Sequence, residues 1–153
     1  GRFHNEHGPS VRIWKDSGQL EREEYHLNGD SHRENGPAIM VWNDTGQIVR
    51  ESYYLNGVLH RDDGPAHILY WALSGLPCYE EYWLNGKLHN ENGPAAAGWN
   101  RWNRWNRWNH RGFIELYYLN DELLTKEEWQ YRVNSCNGKI VEIDGKKYKL
   151  EEL

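Results

Sequence analysis

Three histidine–acid pairs are the first candidates for chemistry: His32 with Glu34, His60 with Asp62 and His89 with Glu91. Each pair offers an imidazole nitrogen and a carboxylate two residues apart, donor types that hold zinc. Two donors per segment, with the next pair a whole segment away, make a poor tetrahedron, so no metal site is expected. The recurrence argues instead for a structural hydrogen bond in a loop. The chain has no glycine-rich phosphate loop, no His-Glu-x-x-His and no nucleophile with a base at a recognised interval. No catalytic residue and no cofactor is therefore assigned, and a non-enzymatic protein is expected.

A second chemistry is recognition by rings and guanidinium groups. Residues 99–109 carry four of the nine Trp of the chain and three Arg, in the triplets Trp99-Asn100-Arg101, Trp102-Asn103-Arg104 and Trp105-Asn106-Arg107 followed by Trp108-Asn109. Trp and Arg are strongly enriched among binding hot spots. Trp99, Arg101, Trp102, Arg104, Trp105, Arg107 and Trp108 are accordingly candidate binding residues. A period of three puts every Trp on one side of a polyproline-type or 3₁₀ path, whereas a strand alternates them between faces. The arginines can stack on the indoles for about 0.5–1 kcal/mol each at exposed sites. Slippage of a nine-nucleotide unit, a self-packed or disordered loop and a ligand-binding arm all account for the pattern, and the sequence leaves the three open.

Both sets of residues sit in a repeat. The histidine segments run on to Gly8-Pro9-Ser10, Gly36-Pro37-Ala38, Gly64-Pro65-Ala66 and Gly93-Pro94-Ala95, with glycines 28, 28 and 29 residues apart. A second motif keeps step: Tyr25-His26-Leu27-Asn28-Gly29, Tyr53-Tyr54-Leu55-Asn56-Gly57, Tyr82-Trp83-Leu84-Asn85-Gly86 and a worn copy, Tyr117-Tyr118-Leu119-Asn120-Asp121. Self-similarity at a fixed period signals stacked units, each burying its apolar face on the next. Within residues 36–64, Gly36-Pro37 is a turn and Ala38 to Trp42 a strand. Asn43-Asp44-Thr45-Gly46 turns the chain into a second strand, Gln47 to Leu55, and Asn56-Gly57 is the strongest short hairpin signal. Tyr53 and Leu55, two apart, share one face of that strand. They and their equivalents do not vary, so they are assigned to a buried slot. The residue between them changes while keeping a ring: His26, Tyr54, Trp83, Tyr118. That column is assigned to a contact surface, with packing against neighbouring loops as the alternative.

The end of the chain differs. Thr125-Lys126-Glu127-Glu128 is a capping box, and Leu124 with Trp129 fits a hydrophobic staple, so a helix is expected at about 125–133. Asp144-Gly145 then turns a last hairpin. The fold class is therefore all-β: an elongated array of stacked β-hairpin repeats of about 28 residues, with a C-terminal helix plus hairpin as cap. Residues 1–124 hold four repeats, the first incomplete and the fourth interrupted by the insertion at 99–109; residues 125–153 form the cap.

The bulk numbers fit a binder. Nine Trp and ten Tyr, against two Phe and one Met, supply large rings with polar handles. A net charge of −5 gives no support for non-specific nucleic-acid or membrane-surface binding, and no apolar run reaches membrane-spanning length. Cys78 and Cys136 form neither a metal spacing nor a disulfide framework, which points to the cytoplasm of the producing or infected cell.

The stretch from Gly46 to Gly57, Gly-x-x-x-x-Glu-x-Tyr-Tyr-Leu-Asn-Gly, and its equivalents at 18–29 and 75–86 resemble MORN repeats in their divergent bacterial and viral form. Leu59-His60-Arg61-Asp62-Asp63-Gly64-Pro65-Ala66 resembles a subfamily met in phages and large DNA viruses. The resemblance covers residues 3–124, although the usual MORN unit is shorter and richer in Gly. It implies a run of β-hairpins used for protein contact or scaffolding, without catalytic residues, in a phage or viral protein that acts on a host component. The Tyr-Trp-Leu-Asn string is also similar to choline-binding cell-wall repeats, and the Trp-x-x-Trp spacing to the tryptophan ladder of thrombospondin-type repeats. The expected function is protein–protein interaction with a partner of unknown identity. The alternative is a small-ligand, glycan or nucleotide binder whose rings stack on the ligand. The open edge of the first repeat also offers a place for a second copy.

Overall fold

The computed structural model describes residues 2–99, 112–135, 140–143 and 146–149. Each unit contributes two longer strands and a small hairpin. The first unit supplies β1 (Val11–Trp14), β2 (Leu20–Glu24), β3 (His26–Leu27) and β4 (Asp30–Ser31). The second supplies β5 (Ile39–Trp42), β6 (Ile48–Ser52), β7 (Tyr54–Leu55) and β8 (Val58–Leu59); the third β9 (His67–Tyr70), β10 (Pro77–Glu81), β11 (Trp83–Leu84) and β12 (Lys87–Leu88). The fourth has β13 (Ala96–Trp99), β14 (Phe113–Leu119) and β15 (Glu122–Leu124), followed by α1 (Lys126–Asn134), β16 (Ile140–Ile143) and β17 (Lys146–Lys149). The longer strands form one antiparallel sheet in the order β1-β2-β5-β6-β9-β10-β13-β14-β15. No helix among the described residues is long and apolar enough to cross a membrane.

The second strand of a unit is not continuous, contrary to the reading of Gln47 to Leu55 as one strand. It breaks at Tyr53, whose amide donates to the Ala66 carbonyl of the next unit at 2.7 Å. Tyr25 and Tyr82 do the same to Ala38 and Ala95, at 2.8 and 2.7 Å. Beyond each break the chain leaves the large sheet and folds into its hairpin. Ala38, Ala66 and Ala95 are fully buried at this crossing of chains. Their own amides donate to Ser52, Glu81 and Leu116, so a larger side chain would press on backbone from both sides. That is a physical reason for the repeated Gly-Pro-Ala. In the fourth unit β14 runs through Tyr117 without a break.

Hairpin tips follow the Asn-Gly signal. Asn28, Asn56 and Asn85 have φ of 55°, 51° and 52°, and the glycines after them are also positive, as a type I′ turn requires. In the worn copy Asn120 and Asp121 adopt the same conformation, at 54° and 70°. Asp121 is anchored there by its carboxylate, which accepts from the Leu88 amide at 2.7 Å. The capping box is formed at α1: Thr125 Oγ1 accepts from the Glu128 amide, and Glu128 Oε2 accepts from the Thr125 amide at 2.9 Å. Leu124, Trp129 and Tyr117 pack into one buried cluster where the helix meets β14 and β15.

Consecutive antiparallel strands give the sheet two unlike rims. The turns β1–β2, β5–β6 and β9–β10, and the facing strand ends Trp99 and Phe113, all fall on one of them, the turn rim. The histidine segments and the small hairpins fall on the other, the loop rim.

Candidate functional site

On the loop rim the same joints recur from unit to unit. The amides of Asn28, Asn56, Asn85 and Asn120 donate to Nδ1 of His4, His32, His60 and His89, at 3.1, 3.1, 3.1 and 3.3 Å. A neutral imidazole that accepts at Nδ1 carries its proton on Nε2. That nitrogen lies 3.6, 3.4 and 3.7 Å from Glu6, Asp62 and Glu91 in three of the four segments. The histidine is thus a staple between units, with an acid near the far side of the ring in those three segments. Backbone bonds complete the joint: Arg33, Arg61 and Asn90 donate to Tyr54, Trp83 and Tyr118, and Gly57, Gly86 and Asp121 donate to Ser31, Leu59 and Leu88. The side chain after each histidine closes its loop on the proline carbonyl. Asn5, Arg33, Arg61 and Asn90 all do so, at 3.0, 3.1, 3.3 and 2.9 Å.

Between successive loops lie three clefts of about 670, 730 and 850 Å³. Tyr25 with Leu27 lines the first, Tyr53 with Leu55 the second and Tyr82 with Leu84 the third. In the first three units the slot expected to be buried is therefore the half-buried lining of open clefts, whereas Tyr117 of the fourth, on the unbroken β14, is buried as expected. The cause is the break in the strand, which puts these residues outside the large sheet. Invariance across the copies was the one sequence signal for this site, and it is equally what a core slot would show. Guanidinium groups lie over two of the rings: Arg33 is 3.9 Å from the Tyr25 centroid and Arg61 is 4.1 Å from that of Tyr53. Arg61 also donates to Asp63 at 2.7 Å, which holds the Asp63 carboxyl below its ordinary value. Burial, and then the neighbouring Glu51 and Glu80 carboxylates, raise the phenols of Tyr53 and Tyr82.

The ring column is partly enclosed. His26 is 8% exposed, with Nδ1 2.7 Å from Ser10 Oγ and Phe3 ring-to-ring at 5.6 Å. Tyr54, Trp83 and Tyr118 are half-buried. Trp83 Nε1 donates to Glu81 at 2.9 Å, and the same carboxylate accepts from the Tyr79 hydroxyl at 2.8 Å. Burial, then that bond, pushes the Tyr79 phenol well above its ordinary value, so it stays a neutral donor. Nearby, burial lowers the His67 imidazole, whose Nδ1 is 2.8 Å from Ser52 Oγ. Of the column, His26 and Trp83 thus direct their polar handles to partners inside the molecule.

The turn rim is open. Trp14 is 57% exposed, Leu73 96%, Phe113 54% and Trp99 44%, and Leu76 and Trp71 are exposed beside them. Trp99 and Phe113 are cross-strand partners at the end of β13 and β14, edge to face at 5.8 Å. Arg101, Trp102, Arg104, Trp105, Arg107 and Trp108 lie outside the described residues. Of the candidate binding residues, the structure thus puts Trp99 on the turn rim, His26, Tyr54 and Trp83 in the small hairpins of the loop rim and Tyr118 at the matching end of β14, without bringing the two groups together. No family model matches the chain, and neither a curated protein nor a solved structure does.

Proposed function

We propose that this chain is a non-enzymatic module for protein–protein interaction, built as an elongated array of stacked β-hairpin units that ends in a helix and a hairpin. The observation that carries this reading is the turn rim. Exposed apolar side chains stand at the turn ends of the first, third and fourth units, and in the sequence the Trp-Asn-Arg triplets fall between the exposed pair Trp99 and Phe113. Grouped exposed apolar side chains, as at Trp71, Leu73 and Leu76 and at Trp99 with Phe113, mark interaction sites, and Trp with Arg supplies hot-spot chemistry. The recurring joints of the loop rim support a rigid array, on which a variable rim can carry recognition. The resemblance to MORN repeats adds a scaffolding or contact role, and that to their phage and viral subfamily adds a host component as partner.

The test is to remove two triplets, Trp102 to Arg107, and compare the shortened chain with the parent by pull-down from host lysate and calorimetry on the captured protein. Binding is expected to fall at least about tenfold, or ~1.4 kcal/mol, at unchanged fold. Equal binding would show the triplets to be dispensable. A small mass retained in native mass spectra of the purified protein would favour a ligand-sequestering role instead.

A further inference from the structure

Four tyrosines occupy equivalent positions, Tyr25, Tyr53, Tyr82 and Tyr117, and three of them have a cover supplied by the chain. Arg33 lies over Tyr25 and Arg61 over Tyr53. On Tyr117 the cover is Trp129, with ring centroids 5.1 Å apart and the indole N–H bonded to the Asn90 carbonyl at 2.8 Å. Over the first two rings the cover comes from the residue after the loop histidine. After Tyr82 that residue is Asn90, whose side chain closes the loop on Pro94 and is too short to reach the ring. Among the described residues no cation and no ring stacks on Tyr82.

The surroundings of Tyr82 favour a cation. Its cleft is the largest of the three, at about 850 Å³, with Leu84 beside the ring. Glu80 lines it without an ion pair among the described residues. Asp62 and Glu91 stand on its two walls with carboxylates 82% and 70% exposed. The one arginine that lines it, Arg61, is already engaged by Asp63 and by the Tyr53 ring. We propose that this cleft takes the guanidinium of an arginine from an extended segment of a partner protein, seated on Tyr82 as Arg33 and Arg61 are seated on Tyr25 and Tyr53. The molecule holds the template for this contact twice. A guanidinium suits it because it is planar, weakly hydrated and stacks on aromatic faces. The cleft lies on the rim opposite the exposed turns, so the proposal goes beyond the turn-rim reading and does not depend on it.

The probe is a blocked pentapeptide, acetyl-Gly-Ser-Arg-Ser-Gly-amide, titrated into the protein by amide NMR beside the same peptide with citrulline in place of arginine. Saturable shifts are expected at Tyr82 and Glu80, with binding at least about tenfold weaker for citrulline, which keeps the shape and loses the charge. Asn90→Arg supplies the missing cover from within and is expected to abolish the shifts while the rest of the spectrum stays native. Glu80→Gln, which leaves the loop intact, is expected to weaken binding severalfold and reads the same contact if Asn90→Arg does not fold. Absence of saturable shifts at Tyr82, equal binding of the citrulline peptide, or binding that survives in folded Asn90→Arg would overturn the proposal.

Discussion

The two rims of the sheet are made by the same strands and obey different rules. On the loop rim every unit is bonded to the next through backbone: an asparagine amide to a histidine ring, and two further amides to carbonyls. Those bonds require the hairpin tip to sit at one height and in the left-handed conformation, so its length and residue types recur. On the turn rim neighbours touch through side chains, Lys15 with Asp44 at 2.6 Å and Asn43 Nδ2 with the Ala72 carbonyl at 3.1 Å. Turns 15–19 and 43–47 close alike, whereas 71–76 is longer and bonds Trp71 to Leu76. A fold that concentrates its joints on one rim leaves the other free to change length, and the strand ends between which the sequence carries the Trp-Asn-Arg triplets, Trp99 and Phe113, lie on that other rim.

The largest effect expected from this contrast marks where that freedom ends. Gly98, in β13 just before the turn rim, stands opposite Tyr79 of β10. A Cβ there would lie 2.4 Å from the Cys78 carbonyl oxygen and 2.5 Å from Tyr79 Cα, with φ at 152°. Ile13, Val41 and Leu69 hold the equivalent strand position in the other units, so Gly98 reflects a local close approach and not the repeat. Gly98→Ala should cost roughly 2–4 kcal/mol in urea denaturation, from overpacking together with backbone strain. A loss below about 1 kcal/mol would show that the tolerance of the turn rim reaches into the strands.

The sequence made the elements legible because their signals are local. Asn-Gly tips, the Asn43-to-Gly46 turn and the Thr125 capping box each depend on a few adjacent residues, and each is formed. The strand break at Tyr53 was not legible. It is set by an amide that bonds to Ala66, thirteen residues on, and nothing in the Gln47 to Leu55 string encodes it. The same break decided the site. Alternation along an unbroken strand separates Tyr53 and Leu55 from Tyr54 as buried and exposed, but once the chain leaves the sheet all three are half-buried and the first two line a cleft. The uncovered Tyr82 was present in the sequence as Asn90 in the place of Arg33 and Arg61. Its meaning needed the knowledge that those arginines fold back over rings.

A smaller effect is expected on the loop rim. His60→Ala removes the acceptor for the Asn85 amide from a side chain that is 14% exposed. The cost should be roughly 1–2 kcal/mol, that of a lost hydrogen bond with a donor left short of a partner. His60→Asn, whose Oδ1 falls near the place of Nδ1, should recover part of it. Equal losses for the two variants would mean that the ring stabilises by packing alone, and the staple would no longer distinguish this rim.

The smallest effect belongs to Leu73. It projects from the longest described turn and is 96% exposed, and that turn is closed by the Trp71–Leu76 bond and by Gly75 at φ 67°. Leu73→Ser touches neither device, and it removes apolar surface that water already covers. Its denaturation midpoint should therefore correspond to a change within about 0.5 kcal/mol of the parent, as for other surface substitutions. Capture of a partner by the turn rim should fall in the same variant, because an exposed leucine stabilises a complex only when something buries it. Unchanged stability with weakened capture is the pattern of a recognition residue on a rim free of joints. A loss of 1 kcal/mol or more would mean instead that Leu73 is packed in solution, and the turn rim would then share the structural duties of the loop rim.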